Sequence, residues 1–558
     1  MKKELASIVY QIWPRSFKDS NGDGIGDLGG IIEKLDYLKS LNVTYLWLSP
    51  VYVSGNYDYG YDIDDYYGIN PEYGTLEQFD QLVFEAKKRG IGIIMDMVAN
   101  HTSNSHIWFK KALESPDSPY RDYYFFRKGK DGKEPNNWIS LFGGSAWTKV
   151  SEDEYVLTMF AEQQVDLNWE NPEVRDGVAD VMKFWLKRGV SGFRYDVINI
   201  ISKKEGLPDK NPHKKGYQFA DDYINSLPKA FDYMEEVMAK VREEFELFTV
   251  GEGMLLTQDA ARRYSNLENP LFDMMFQFDL ALIDCGPLGK FDFRKFYHWT
   301  IKEFKAIVRI WQMDMQNRNY WMANYLSNHD QPRHISHYGN DTKYRVESAK
   351  AWAMFNFTLR GTPFMYQGEE IGMTNCKLEM DEWKDIEAIT DYKVLQSMMK
   401  LPAFIAKRVI QKKTRDNART PVQWSKSAYA GFSTVKPWIK LNPNYTEINV
   451  EQQDNDSESI LSFYRRLTRF YLDHPVLTFG SWTEILVDHP QIIAYIREDE
   501  HERLQIIINL SAKPVTLLLD EPFGEDLLTT KKDVAPWNHK MVFAPYEGRV
   551  SKIKKHES

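Results

Sequence analysis

Two textures alternate along the chain. Short apolar runs rich in β-branched and aromatic residues end abruptly on polar ones: SIVYQIW (7–13), VTYLWLSP (43–50), GIGIIMDMVANH (90–101), GFRYDVIN (192–199), FELFTVGEG (245–253), MMFQFD (274–279), NYWMANYLSNHD (319–330) and GTPFMYQG (361–368). Between them lie longer stretches whose apolar positions recur three and four apart, the period of an amphipathic helix. IIEKLDYLKSL is one. TLEQFDQLVFEAKKRG is another; it opens with Thr75 and Gln78 in capping-box spacing and stops at Gly90. In NPEVRDGVADVMKFWLKRG, Asn171 can cap the helix and Pro172 suits its first turn. Eight strands alternating with helices predict an α/β chain of parallel βα units, and the count fits a (β/α)8 TIM barrel. A doubly wound sheet has the same rhythm.

The rhythm is interrupted twice. Residues 101–170 separate the third strand from its helix, far more than an ordinary βα loop. They are rich in Gly, Asp, Lys and aromatics, and an inserted subdomain over the barrel mouth is expected there. After about residue 478, QIIAYIRE, RLQIIINL and PVTLLL read as short strands separated by turns. The expected organisation is a barrel over 1–100 and 171–477, an insertion over 101–170, and a C-terminal antiparallel β-sandwich over 478–558.

In a barrel, reactive groups sit where strands end. Asp96, Asp196, Glu252 and Asp330 each occupy such an end. Arg194 and Asp196 stand two apart, so in a strand they face the same way. Two readings are open: a structural ion pair, or a catalytic carboxylate kept ionised by a guanidinium. Glu252 ends the apolar run FTVGE, where burial would raise its pKa as a general acid requires. His101 and His329 each follow an Asn at a strand end, as core histidines or as donors to sugar hydroxyls. Paired carboxylates of this kind suit glycosidic bond cleavage.

The 558 residues are 43% hydrophobic and 27% charged, ordinary for a globular chain. The 16 Trp, 32 Tyr and 31 Phe are many; a large aromatic core accounts for most, and a surplus in loops would suit the flat faces of sugar rings. A net charge of −10 leaves no electrostatic footprint for nucleic acid or an anionic membrane. MKKELASIVYQIW reaches Glu4 before any apolar run, so it does not read as a secretory signal, and no run approaches the length of a membrane span. Cys285 and Cys376 make no disulfide framework. A cytoplasmic monomer acting on small oligosaccharides is expected.

DMVANH (96–101), GFRYDVIN (192–199), TVGEG (249–253) and SNHDQPR (327–333) resemble, in order, the four signature regions of the α-amylase superfamily, glycoside hydrolase family 13. QVDLNW (164–169) resembles a fifth. YQGEEIGMTN (366–375) and RDNARTPVQW (415–424) are similar to the oligo-1,6-glucosidase and dextran glucosidase branch, and the resemblance spans nearly the whole chain. It implies a retaining, exo-acting α-glucosidase that releases glucose from isomaltose and short isomalto-oligosaccharides. Asp196 would be the nucleophile, Glu252 the acid/base and Asp330 the third carboxylate, gripping the sugar at subsite −1. The first two carboxyls would stand about 5–5.5 Å apart. Arg194 would hold Asp196, and His101, His329 and Arg415 would touch the −1 sugar. Asp58 and Tyr61 of NYDYGYD would clamp its far end and stack on it. Phe160 resembles a wall residue and Glu387 the carboxylate that binds the +1 sugar. Val197 resembles the valine that accompanies α-1,6 specificity.

The chain departs from the family pattern at Ala99, at GMLLT after the acid/base, and at Tyr57 and Tyr59 in the clamp segment. These leave the +1 side in question. A trehalose-6-phosphate hydrolase would need a cation near +1, which the sequence does not locate. Sucrose isomerases carry an arginine-rich loop where this chain has FDLALIDCG (278–286), and non-enzymatic transporter heavy chains need a membrane helix. One further motif is DSNGDGIGD (19–27). Asp19, Asn21, Asp23, the backbone oxygen of Ile25 and Asp27 match alternate positions of an EF-hand-type loop, although Gly30 stands where its final Glu belongs. The plain reading is a polar Gly-Asp turn; the resemblance implies a structural Ca²⁺.

Overall fold

The computed structural model describes residues 3–286, 290–291, 299–397, 399–519 and 524–554. Eight parallel strands form one sheet: β1 (Val9–Ile12), β2 (Tyr45–Leu48), β3 (Gly92–Met97), β4 (Gly192–Tyr195), β5 (Phe248–Glu252), β6 (Met274–Phe276), β7 (Ala323–Asn324) and β8 (Thr362–Tyr366). Their spatial order is β6-β5-β4-β3-β2-β1-β8-β7, and a parallel bridge from Met275 to Met322 joins the two ends. The sheet is a closed (β/α)8 barrel, not a doubly wound one.

The period-2 pattern sorts each strand. Val9, Trp47, Ile94, Val250 and Phe364 share one buried cluster inside the barrel, whereas Tyr10, Leu46, Met95 and Phe193 belong to the larger cluster under the helices. Continuing the inward set by two residues gives Asp96 after Ile94 and Glu252 after Val250. The helix Leu76–Lys88 has both bonds of the Thr75/Gln78 capping box, and Pro172–Lys187 is capped by the Asn171 side chain.

All eight strands are shorter than their apolar runs, and in two of them the reason is local. β4 stops at Tyr195, because Val197 adopts a left-handed conformation with φ 37°, which no strand can continue. In 319–330 only Ala323–Asn324 pair as strand, and the run closes on a turn in which Asp330 N donates to Asn328 Oδ1 at 2.8 Å.

Three excursions build around the barrel. After β2, the antiparallel strands Tyr52–Ser54 and Ile63–Ile69 carry Asp58 and Tyr61 in their connection. Between β3 and Pro172–Lys187, His101–Ser103 pairs with Gln164–Asp166, and a three-stranded sheet joins Phe126–Lys128, Glu154–Leu157 and Trp147–Ser151. Beyond Ser481 lie a five-stranded antiparallel sheet and the pair Val515–Leu518 with Lys540–Phe543. The buried Lys305 ammonium, on helix Ile301–Asn317, fastens that region by donating to the carbonyls of Leu486 at 2.8 Å and Ile492 at 3.0 Å. Among the described residues no helix is long and apolar enough to cross a membrane.

Candidate active site

The strand ends of β3, β4 and β5 meet on one guanidinium. Arg194 Nη1 donates to Asp96 Oδ1 at 2.7 Å and to Asp196 Oδ1 at 2.6 Å, and Nη2 lies 2.6 Å from Glu252 Oε1. Val197 N donates to the other Glu252 oxygen at 3.0 Å. Asp96 is braced behind them by Trp47 Nε1 and the Tyr61 hydroxyl. One cation thus serves three buried carboxylates. Burial pushes Glu252 up to about 7, opposed by Arg194 and reinforced by Asp196 and Asp330. Burial also raises Asp196, against the pull of Arg194. The guanidinium is shared, so it does not hold Asp196 ionised alone. A cluster with three acids and one cation favours keeping a proton.

Asp330 faces this pair from the end of β7. Burial opposes its ionisation, but the His329 ring, Arg415 and Arg419 outweigh burial and hold it well below the usual carboxylate range. Arg419 Nη2 donates to Asp330 Oδ1 at 3.1 Å. Burial lowers His101 and His329, so both rings stay neutral near pH 7. His329 stacks between Trp13 and Tyr61, with Nε2 2.7 Å from the Tyr61 hydroxyl and 3.0 Å from Asp330 Oδ2.

These groups form the floor and deep end of a pocket of about 330 Å³. Asp58, Tyr61, His101, Phe160, Asp196, Val197, Glu252, Asp330, Glu387 and Arg415 line it; Arg194 lies beneath the floor, and His329 behind Tyr61. Arg415 closes the deep end. Its Nε donates to Asp385 Oδ1 at 2.8 Å, and its Nη2 lies 3.1 Å from Asp58 Oδ1. That last contact lacks hydrogen-bond geometry, so both atoms are buried with unfilled capacity, as an incoming hydroxyl requires. Phe160 packs on His101 with ring centres 5.1 Å apart.

The mouth is different. Lys290 Nζ sits 3.3 Å from Glu387 Oε2 and donates to the Asp330 carbonyl at 3.0 Å. In the same lining, Leu255 and Phe219 are 42% and 39% exposed, against 4% for Asp58 and 5% for Glu252. The sequence reading missed Lys290, Leu255, Phe219, Asp385 and Arg419. Asp385 stands two before Glu387 and Arg419 closes RDNAR, so both were within reach; Leu255 lies in the divergent GMLLT segment; Lys290 carried no signal.

Two other polar clusters lie apart from the pocket wall. The Lys203 ammonium fills a cage of Asn100 Oδ1 at 3.0 Å, Ile200 O at 2.7 Å and Asp166 Oδ1 at 2.9 Å, tying the insertion to the loop after β4. The 19–27 loop is closed by its own donors. Asp19 accepts from the amides of Asn21, Gly22 and Gly24, Asn21 from Asp23, Asp23 from Ile25, and Asp27 from Ser20, Asn21 and Gly30. The accepting side-chain atoms are all oxygens, the ligand type a hard divalent cation requires. Among the described residues, no three Asp, Glu, His or Cys side chains converge as a metal site.

Comparison with known proteins agrees with this geometry. The catalytic domain of alpha-amylase matches residues 11–480. An oligo-1,6-glucosidase of Parageobacillus thermoglucosidasius is 45% identical over 98% of both chains. A trehalose-6-phosphate hydrolase of Bacillus subtilis (strain 168) is 41% identical, also over 98% of both. The crystal structure of an isomaltulose synthase from Klebsiella sp. LX3 superposes with a TM-score of 0.94 at 38% identity, covering 99% of this chain and 100% of that one.

Proposed function

The chain belongs to the alpha-amylase family and is a glycoside hydrolase; from there we propose a retaining, exo-acting α-glucosidase that cleaves α-1,6-linked glucose from the non-reducing end of isomaltose and short isomalto-oligosaccharides. The observation that carries this reading is the pair Asp196 and Glu252, held on Arg194 at the floor of a pocket that Asp58 and Arg415 close at its far end. A closed end admits one sugar ring, which places the first glycosidic bond over the two carboxyls.

In this reading Asp196 attacks the anomeric carbon while Glu252 protonates the leaving oxygen, and a glycosyl ester forms on Asp196. Glu252, now a carboxylate, takes a proton from water, which releases glucose as the α-anomer. The shared guanidinium suits both states. A proton on Glu252 leaves Asp196 paired with Arg194, and loss of that proton leaves Arg194 to pair with Glu252. Asp330, His101 and the Asp58–Arg415 pair bind hydroxyls, Tyr61 stacks on the ring, and His329 holds Tyr61 and Asp330 in place.

Linkage choice falls to Val197. A branched side chain beside the nucleophile narrows the entry to the +1 position. An α-1,6 bond adds a rotatable C5–C6 bond that carries the next ring further out. Hydrolysis of trehalose 6-phosphate is a weaker reading, because the Lys290 cation at the mouth is already paired with Glu387. A Ca²⁺ ion held by Asp19, Asn21, Asp23, the Ile25 carbonyl and Asp27 would brace the loop after β1, outside the chemistry. The two free thiols, Cys285 and Cys376, suit a reducing cytoplasm.

A substrate panel tests the reading: isomaltose, panose, maltose, sucrose, trehalose and trehalose 6-phosphate, with the first product anomer followed by NMR. Isomaltose should give the highest kcat/KM and α-glucose should appear first. Early β-glucose would rule out the retaining mechanism.

A further inference from the structure

Besides the Lys290–Glu387 pair, the pocket lining carries a set of apolar side chains that make no polar contact with a sugar. Val197, Met254, Leu255, Phe219, Phe278 and Leu282 belong to that set, on loops that follow β4, β5 and β6. Leu255 stands out. Its backbone is left-handed, with φ 47°, a region that disfavours residues other than glycine, asparagine and aspartate. The segment is held there deliberately. Asn199 Nδ2 donates to the Met254 carbonyl at 2.7 Å, Met254 N donates back to Asn199 Oδ1 at 3.0 Å, and Asn225 Nδ2 donates to the Leu255 carbonyl at 3.2 Å. Strain maintained by three hydrogen bonds at a pocket rim is a feature of sites that touch ligands. What it presents is a bare isobutyl group, 42% exposed, beside a 39% exposed Phe219 ring.

We infer that this rim is an aglycone site for aliphatic chains, and that Leu255 is its specificity-determining residue. Resting on the α-glucosidase reading, the enzyme hydrolyses alkyl α-glucosides of medium chain length. The anomeric C–O bond breaks, water supplies the hydroxyl of the released glucose, and the proton from Glu252 converts the leaving alkoxide to an alcohol. Depth fixes the assignment: the buried polar end takes the sugar, so whatever is attached to it emerges at the apolar rim. The Lys290–Glu387 pair is already matched in charge, so the apolar part of the lining is the surface an aliphatic chain gains by covering.

The test is a homologous series, methyl, butyl and hexyl α-D-glucopyranoside, whose leaving groups have similar basicity. Burying two or three methylenes should raise kcat/KM for the hexyl over the methyl compound by about tenfold or more. Leu255→Gly relieves the strained φ and removes the wall; Leu255→Asn keeps a residue at home in left-handed backbone but makes it polar. Both should bring the hexyl-to-methyl ratio to about threefold or less, and folding is monitored by the melting curve. A wild-type ratio near one, or an unchanged ratio in both folded variants, overturns the inference while hydrolysis of isomaltose leaves the α-glucosidase reading standing. No hydrolysis of isomaltose or of any member of the series overturns both.

Discussion

The deep end of the pocket and its mouth are built on opposite principles. At the deep end polar side chains hold one another: Arg194 meets three carboxylates, Arg415 is held by Asp385, and His329 by Tyr61, Asp330 and two aromatic faces. At the mouth, Leu255 and Phe219 project apolar side chains from loops, and the hydrogen bonds of Asn199 and Asn225 hold backbone rather than side chain. The first arrangement is preorganised for charge that develops at one fixed position. The second offers surface to whatever follows the sugar. Chemistry and selection thus fall to different residues of one pocket, and substitutions in the two regions should fail differently.

The largest effect is expected at the floor. Asp196→Asn removes the atom that forms the glycosyl ester and should lower kcat on the order of 10⁴-fold or more. Glu252→Gln should cost roughly 10²–10⁴-fold, and much less on substrates whose leaving group needs little protonation. Steady-state kinetics on isomaltose and on a nitrophenyl α-glucoside check both. Near wild-type turnover by Asp196→Asn would remove the basis for the assignment.

The same division explains what could be read from the sequence. The floor was legible because inward-facing positions run to the strand ends, so that Ile94 leads to Asp96 and Val250 to Glu252, and because signature segments carry Asp196, Asp330 and Arg415. The eight strands were legible for the same periodic reason. The mouth was not. Leu255 and Phe219 are apolar residues in loops, indistinguishable by composition from core residues, and Lys290 sits in GPLGKF with no pattern around it. Nor does sequence reveal a positive φ at a valine or a leucine, since Val197 and Leu255 are residue types that disfavour it.

A second measurement separates the regions by pH. Glu252 titrates at about 7 in the folded chain, against an ordinary value of about 4.3 in the unfolded one. Below about pH 4 it is protonated in both states and costs nothing; between about pH 4 and 7 the fold loses roughly 4 kcal/mol, because the unfolded chain releases the proton first. Glu252→Gln should therefore be more stable than wild type at pH 8 and no more stable at pH 4, by denaturant titration. Leu255→Gly, at the mouth, should show the same stability difference at both pH values. In activity the alkaline limb of kcat/KM should fall as Glu252 loses its proton.

Val197 lies at the border, in the left-handed residue that ends β4, and tests whether the border sets linkage. Val197→Ala removes two methyl groups beside the nucleophile and should raise maltose relative to isomaltose by about tenfold in kcat/KM. A wild type that already prefers maltose, or an unchanged ratio in the variant, would move linkage selection further out along the mouth.

The smallest expected effect comes from the loop at 19–27. It follows β1, whose end supplies Gln11, 2.7 Å from His329 Nδ1, and Trp13, which stacks on the His329 ring at 5.3 Å. A Ca²⁺ ion in the loop would therefore support the deep end and not the mouth. At about 100 times its dissociation constant a bound ion contributes roughly 2.7 kcal/mol, which in a chain of this size lowers the melting temperature by a few degrees on chelation. Asp23→Ala, which removes one ligand at an exposed position, should lower the melting point similarly and make it insensitive to chelator. Because the loop reaches the sugar through His329, chelation should weaken inhibition by glucose, which binds the deep end, and leave the hexyl-to-methyl ratio of the mouth where it was. Identical melting curves for native, chelated and Asp23→Ala protein would show that the loop's own amides suffice, and that the deep end owes its rigidity to its internal charge pairs alone.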